Sequence, residues 1–497
     1  MHTVTTILPN TLAAKLEGFI DDANAEIEAA ERDFCSRYPD YEQTRDLDAL
    51  RCNGYARLDD LGHTYLDYTG GGLFSTDQLE QHTALLTQNI YGNPHSLNPT
   101  SLAATEINES ARHAVLDYFH ADPDQYTVIF TMNASGALKL VGEAYPFDEN
   151  SHYLLLFDNH NSVNGIREYA RNKGAKFTYL PLLPGTLRLD EAALMRNLDA
   201  ANSASHKLFA FPAQSNFSGV KHPLRLIEEA QSRGWDVMLD AAAFLPTNQL
   251  DLHEHQPEFV SMSFYKMFGY PTGIGALVAR KDALEKLKRP WFAGGTISIA
   301  TVQADAYYLH VNEAGFEDGT INYLGIPAVE IGLKHLQKVG VPCVQQRVTL
   351  LTAYLLDFMK QLKHSNGQPV INIYGPTDTD NRGATIAFNV YDPNGHVFEY
   401  QIVETAANSQ KISLRTGCFC NPGAGESAHG LTAEDLQPCF INDRMDFTEM
   451  AERLVEKHST DIVGAIRASL GIATNFADVY RLTAFLRLFV DEEAPQR

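Results

Sequence analysis

Between about residues 75 and 300 the chain alternates short, mostly apolar runs with stretches of helical character. Tyr126–Thr131, Tyr153–Phe157, Leu208–Phe211, Trp235–Leu239 and Phe259–Ser263 read as strands buried on both faces. Helical stretches such as Leu224–Arg233 separate them. That alternation predicts an α/β fold: a mostly parallel central sheet with helices on both faces. Ahead of it, Leu12, Leu16, Phe19 and Ile20 form one face of a helix over residues 11–34, which continues into Glu26, Glu28 and Glu31. Tyr65–Tyr68 reads as a short strand broken by Gly70-Gly71-Gly72.

The texture changes after about residue 325. Helices at Ile326–Val339 and Cys343–Lys363 lead to a strand at Thr385–Val390, a loop at 415–430, and amphipathic helices near 446–458 and 476–489. The expected division is an N-terminal segment (1–65) packed with a small α+β domain (326–497), and a large α/β domain (66–325). No internal repeat or low-complexity stretch is visible.

Composition narrows the classes. A formal charge of −23 with no cluster of Lys and Arg argues against nucleic-acid binding, which needs concentrated positive charge. Six cysteines in 497 residues do not make a disulfide scaffold. The N-terminus lacks a basic segment leading into an apolar one, and no run approaches the roughly 18 apolar residues of a membrane span. A soluble, cytoplasmic protein without membrane contact is the expectation.

The candidate chemistry gathers at strand ends. Asp240 closes one predicted strand, and Lys266 follows the next, 26 residues later. In open α/β sheets, ligands bind at the carboxyl ends of strands. A lysine there forms a Schiff base with the aldehyde of pyridoxal 5'-phosphate (PLP), and an aspartate keeps the pyridine nitrogen protonated. Ala134, Ser135 and Gly136 open a helix after Thr131, where amide groups and the helix dipole suit a phosphate. A plain structural turn has the same composition. Ser263 and Thr320 are further phosphate donors, while Gly70–Gly72 lacks the Lys-Ser/Thr of a P-loop and reads as a turn. His160 follows the strand ending at Phe157 and suits stacking on a flat cofactor or proton transfer. Asn216 is placed to bond a ring hydroxyl, or to make an Asx-turn.

The second informative stretch is Leu414-Arg415-Thr416-Gly417-Cys418-Phe419-Cys420-Asn421-Pro422-Gly423. Arg415 offers a fork for a carboxylate, and a cysteine beside cationic groups is a candidate thiolate nucleophile. Cys418 and Cys420, two apart, point opposite ways in an extended segment, so only one faces the cofactor. No second ligand pair at zinc spacing accompanies them, and no metal is expected.

These residues resemble the class V (fold type I) PLP enzymes, and more closely the cysteine-desulfurase-like domain of molybdenum cofactor sulfurases. Tyr65-Leu66-Asp67, Asn93-Pro94-His95-Ser96, Asp158–Ser162, Ser263–Lys266, Phe316–Thr320 and Leu414–Gly423 carry the likeness over residues 60–425. The resemblance implies the following roles. Lys266 binds PLP, Asp240 pairs with the ring nitrogen, His160 stacks, Arg415 holds the substrate carboxylate, and Cys420 forms a persulfide. It also implies a homodimer in which Thr320 reaches the neighbouring phosphate. A PLP-dependent cysteine desulfurase acting on L-cysteine, with a sulfur-acceptor protein as partner, is therefore the leading expectation. The alternatives are a racemase, lyase or aminotransferase, and a non-catalytic PLP-fold scaffold. Three departures stand out. Tyr265 replaces the histidine that often precedes the lysine, Ala241-Ala242-Ala243 lacks the usual Gln or His, and about 70 residues follow residue 425. Eukaryotic molybdenum cofactor sulfurases carry a larger C-terminal domain, so direct sulfuration of that cofactor by this chain alone is not expected.

Overall fold

Seven strands make the central sheet of the computed structural model, which describes residues 8–201, 203–440, 445, 449–451, 453–454 and 463–495. In chain order they are β1 (Tyr126–Thr131), β2 (His152–Leu156), β3 (Lys176–Leu180), β4 (Lys207–Pro212), β5 (Asp236–Asp240), β6 (Phe259–Ser263) and β7 (Gly275–Arg280). Their order across the sheet is β1-β7-β6-β5-β4-β2-β3, and only β7 runs against the rest. The predicted runs are strands because their apolar side chains are buried on both faces: every residue of β2 and β6 is buried. Asp240 pairs in register with Ser261 and with Pro212, which brings the carboxyl ends of β4, β5 and β6 to one edge.

A second, antiparallel sheet contains β8 (Ile371–Tyr374), β9 (Thr385–Val390), β10 (Arg415–Gly417) and β11 (Ala465–Ser469), in the order β8-β9-β11-β10. Arg382 ties this sheet to the first. Its buried guanidinium donates to the carbonyls of Pro376, Gly383, Ser218 and Thr385, without a carboxylate partner among the described residues. The N-terminal helices close over the far side. Phe34 stacks on Phe476, Phe19 meets Phe485 edge-on, and Arg51 pairs with the buried Asp478 at 2.5 Å. Such aromatic pairs add about 0.5–1.5 kcal/mol each beyond their buried area.

Several expected boundaries move. The helix over 11–34 is two, Asn10–Leu16 and Phe19–Arg37, because Gly18 takes a left-handed φ of 73°. Tyr65–Tyr68 contracts to Thr64–Tyr65, paired with Ile412–Ser413, and Asp67 makes a single bridge to Ser469. The helix at 224–233 shrinks to Leu226–Gln231. The helix expected near 446–458 lies for the most part outside the described residues, whereas the one at 476–489 is present as Phe476–Arg487.

Candidate active site

The turn of helix after β6 (Phe264–Phe268) carries Lys266 into a cavity that Asp240, His160, Asn216 and Ser135 also line. Burial pushes the lysine amine below its ordinary range. Asp240, Asp67 and Cys420 pull it back up, while the positive Arg467 pushes it further down. Asp240 is fixed through one oxygen, which accepts the Ala242 N–H (3.1 Å) and the Ser261 hydroxyl (3.3 Å). His160 caps the short helix that follows it, its Nδ1 accepting the Ser162 N–H at 3.1 Å. A ring nitrogen in that role is unprotonated, so the proton of the neutral imidazole lies on Nε2. Burial also lowers the His160 pKa, against the opposing pull of Asp240.

At the start of α1 (Ala134–Ala144), the Ser135 and Ser162 hydroxyls meet at 2.5 Å on the cavity wall. The Ala134 N–H donates to Ser263 Oγ at 2.9 Å, which sets the hydroxyl of Ser263 against the same helix end. Two of the candidate phosphate residues do not line this cavity. The Gly136 N–H donates to its own cap, Asn133 Oδ1 (3.0 Å), and Gly136 lines the neighbouring cavity. Thr320 also lines that neighbouring cavity, not the one that holds Lys266. Asn216 lines the Lys266 cavity, with its amide engaged by the cysteine loop. Its Nδ2 donates to the Phe419 carbonyl (2.8 Å) and its Oδ1 accepts from Asn421 (2.8 Å).

The loop after β10 separates its two cysteines. Cys420 bears electrostatically on Lys266, whereas Cys418 bears on Tyr400, which belongs to a helix of the second sheet's lobe. Phe419 and Cys420 both adopt left-handed backbone, with φ of 55° and 54°. For side-chain-bearing residues that conformation costs about 1–2 kcal/mol each and persists only where neighbours impose it.

Two arginines converge on one carboxylate. Arg415 donates through Nε and Nη2 to Asp67 Oδ2 (3.0 and 2.6 Å), and its side chain is 50% exposed. Arg467, on β11 and only 3% exposed, donates to Asp67 Oδ1 (2.9 Å) and to the Asn216 carbonyl (2.9 Å). Its guanidinium lies over the Phe419 ring at 4.8 Å, and its buried Nε has no partner among the described residues. Arg467 acts electrostatically on both Lys266 and His160. The glycine triplet permits this arrangement. A Cβ on Gly70 would fall 2.5 Å from Arg415 Nη2, and one on Gly72 would fall 2.8 Å from the Lys266 carbonyl.

The sequence reading passed over Arg467. A guanidinium in a buried run, Ala465-Ile466-Arg467-Ala468-Ser469, was the signal, since buried arginine is rare unless paired. Among the described residues no cluster of three or more His, Cys, Asp or Glu is placed to hold a metal, and no helix is long and apolar enough to cross a membrane.

The family model for aminotransferase class-V matches residues 64–482. The chain belongs to that family. The match runs past residue 425 and takes in Arg467. A molybdenum cofactor sulfurase of Solanum lycopersicum is 36% identical over 92% of this chain and 58% of its own length. One of Homo sapiens is 37% identical over 90% of this chain and 51% of its own. The chain thus spans about half the length of the curated relatives it matches. A solved cysteine desulfurase from Thermococcus onnurineus superposes with a TM-score of 0.72 at 21% identity, over 88% of this chain and 97% of that one. The fold is that of the fold type I PLP enzymes, and PLP is the cofactor that goes with it. The donor set suits the cofactor: an amine held below its usual pKa, a carboxylate braced by backbone, and hydroxyls at a helix N-terminus.

Proposed function

We propose that this chain is a cysteine desulfurase: it moves the sulfur of L-cysteine onto Cys420, releases L-alanine, and hands the sulfur to an acceptor. The observation that carries this reading is the hydrogen bond from the Asn161 N–H to the Cys420 carbonyl (2.7 Å), which pins Cys420 next to the cavity-lining His160, where its charge bears on Lys266. PLP, when bound, supplies an aldehyde for amines and an electron sink that loosens bonds around the substrate's α-carbon. Lys266 would hold the cofactor and, with its amine pushed below its ordinary range by burial, accept the α-proton. Asp240 would neutralise a protonated ring nitrogen. Ser135, Ser162 and Ser263, gathered at the same helix start, would face the phosphate. His160 keeps its Nε2–H for the cavity.

Arg467 is the better holder of the substrate carboxylate. It is buried, its charge bears on Lys266, its Nε is open, and Asp67 braces it. Arg415 then secures Asp67 from the rim. In the sulfur step the Cys420 thiolate attacks the substrate sulfur, an S–S bond forms and the C–S bond breaks. Cysteine and a protein thiol become alanine and a protein persulfide, so no outside oxidant enters the balance. The relatives named molybdenum cofactor sulfurases are nearly twice as long, and the proposal covers only the step these residues carry.

The test is alanine and sulfide release from L-cysteine by PLP-loaded protein in the presence of a thiol reductant. Equimolar products, lost in both Lys266→Ala and Cys420→Ala, are expected. Full turnover by Cys420→Ala would point instead to a lyase, racemase or aminotransferase. Failure to bind PLP would point to a scaffold.

We also propose a cytoplasmic homodimer. The cavity that holds Thr320 is bordered by Met132, 74% exposed, and Gly319 lies against Gly295, just before the Ile297–Thr301/Ala306–Leu309 hairpin, where Val302 is 98% exposed. Exposed apolar side chains gathered in one region mark a contact surface.

A further inference from the structure

The loop that carries Cys420 is tied to the strand ends around it, and one of its own buried side chains supplies two of the ties. Asn421 is fully buried. Its Nδ2 donates both to the Asp158 carbonyl (2.7 Å) and to Asn216 Oδ1 (2.8 Å). Asn216 in turn donates to the Phe419 carbonyl at 2.8 Å, and the Asn161 N–H donates to the Cys420 carbonyl at 2.7 Å. The loop is therefore gripped at three successive residues, 419, 420 and 421, by groups from the carboxyl ends of β2 and β4. Two of the three, Phe419 and Cys420, are in left-handed backbone that neither residue prefers. Asn421 also serves a second, separable purpose, because its Oδ1 caps α2 (Pro422–His429) by accepting the Ala424 N–H at 3.2 Å.

We propose that Asn421 is a positioning residue for sulfur transfer: its two donated bonds hold the Cys418–Asn421 loop in the strained form that presents Cys420 to the lysine-bearing cavity. The inference rests on the desulfurase reading, since it gives Cys420 the sulfur. Without the clamp, the loop relaxes toward ordinary backbone and Cys420 is no longer held beside the lysine-bearing cavity. Asn421 makes no hydrogen bond to Arg467 or Lys266 among the described residues, and Arg467 keeps its bond to Asp67, so the loss falls on turnover.

The experiment separates clamp from cap. Asn421→Ser keeps an oxygen suited to a helix N-cap and removes the two donated bonds. Asn421→Asp does the same in nearly unchanged volume, and serves if the serine variant folds poorly. PLP-loaded wild type, both variants and Cys420→Ala are compared for kcat and KM with L-cysteine, and for amide hydrogen exchange at residues 417–421. The expected result is a kcat at least tenfold lower, a KM within about twofold of wild type, and faster exchange confined to the loop. A wild-type kcat in a variant whose loop exchange has risen would overturn the positioning role, and unchanged loop exchange would overturn the clamp. Failure of the desulfurase reading itself shows separately, as undiminished alanine release by Cys420→Ala.

Discussion

At position 429 a histidine lies against Tyr374, with ring centroids 5.0 Å apart, and its Nε2 accepts the Gly464 N–H at 3.3 Å. Only the unprotonated ring can accept there, and burial pushes its pKa down to about 4. His152, buried and bonded to Thr178 Oγ1 at 2.9 Å, is likewise pushed down to about 4. In the unfolded chain both return to roughly 6.5. Between those values the unfolded chain binds more protons, so stability rises with pH across that window and falls as pH drops through it. Urea midpoints measured at pH 4.5 and 7 should show the fall, and a His152→Gln/His429→Gln double variant should show a smaller one. An undiminished fall would assign the effect to other groups. Residue chemistry was only partly legible in the sequence. Lys266 and Asp240 declared themselves by their places after strands. Asp67 and Asn421 lay inside recognised motifs with no sign of whom they would touch, because their partners are hundreds of residues distant in the chain: Arg467 for Asp67, Asp158 and Asn216 for Asn421.

Elements were more legible than their directions. The five predicted strands of the large sheet are strands because apolar runs of that length have no other way to be buried on both faces. β7 was not singled out, and it is the one reversed strand. Only residues 264–274 separate it from β6, and part of that link is helical turn; such a span is short for a parallel crossover. Gly18 shows the complementary failure, where a continuous apolar face hid a break in the backbone. The glycine triplet was read as a turn, yet in space it lets one chain segment pass close to another. Gly72→Ala would set a methyl 2.8 Å from the Lys266 carbonyl and 3.0 Å from the Gly269 nitrogen. Backbone neighbours yield little, so overpacking should cost about 1–3 kcal/mol. The checks are a lower denaturation midpoint and less PLP retained per chain after dialysis. A variant with wild-type values on both counts would mean that the lysine turn has slack.

Across the whole molecule, the dimer proposal predicts a mass of two chains by sedimentation in the low micromolar range. Val302→Glu, or the Leu97→Glu change at another exposed apolar position, should shift it toward one. A wild-type protein that sediments as a single chain at all concentrations would remove the reading of the Thr320 cavity as a shared one. The overall α/β layout followed from periodicity alone, whereas the convergence of distant segments did not, since contact order leaves no mark on local pattern. That convergence carries a consequence for timing. Arg467 follows Lys266 by 201 residues, and synthesis proceeds at roughly 5–20 residues per second. For about 8–31 seconds, then, a growing chain has its cofactor lysine and aspartate but no Cys420 loop, and for roughly 2–9 seconds more it has that loop without the buried guanidinium. On the proposed function, the nascent chain thus gains its sulfur-carrying cysteine only after the cofactor residues, and the guanidinium that would hold the substrate last of all.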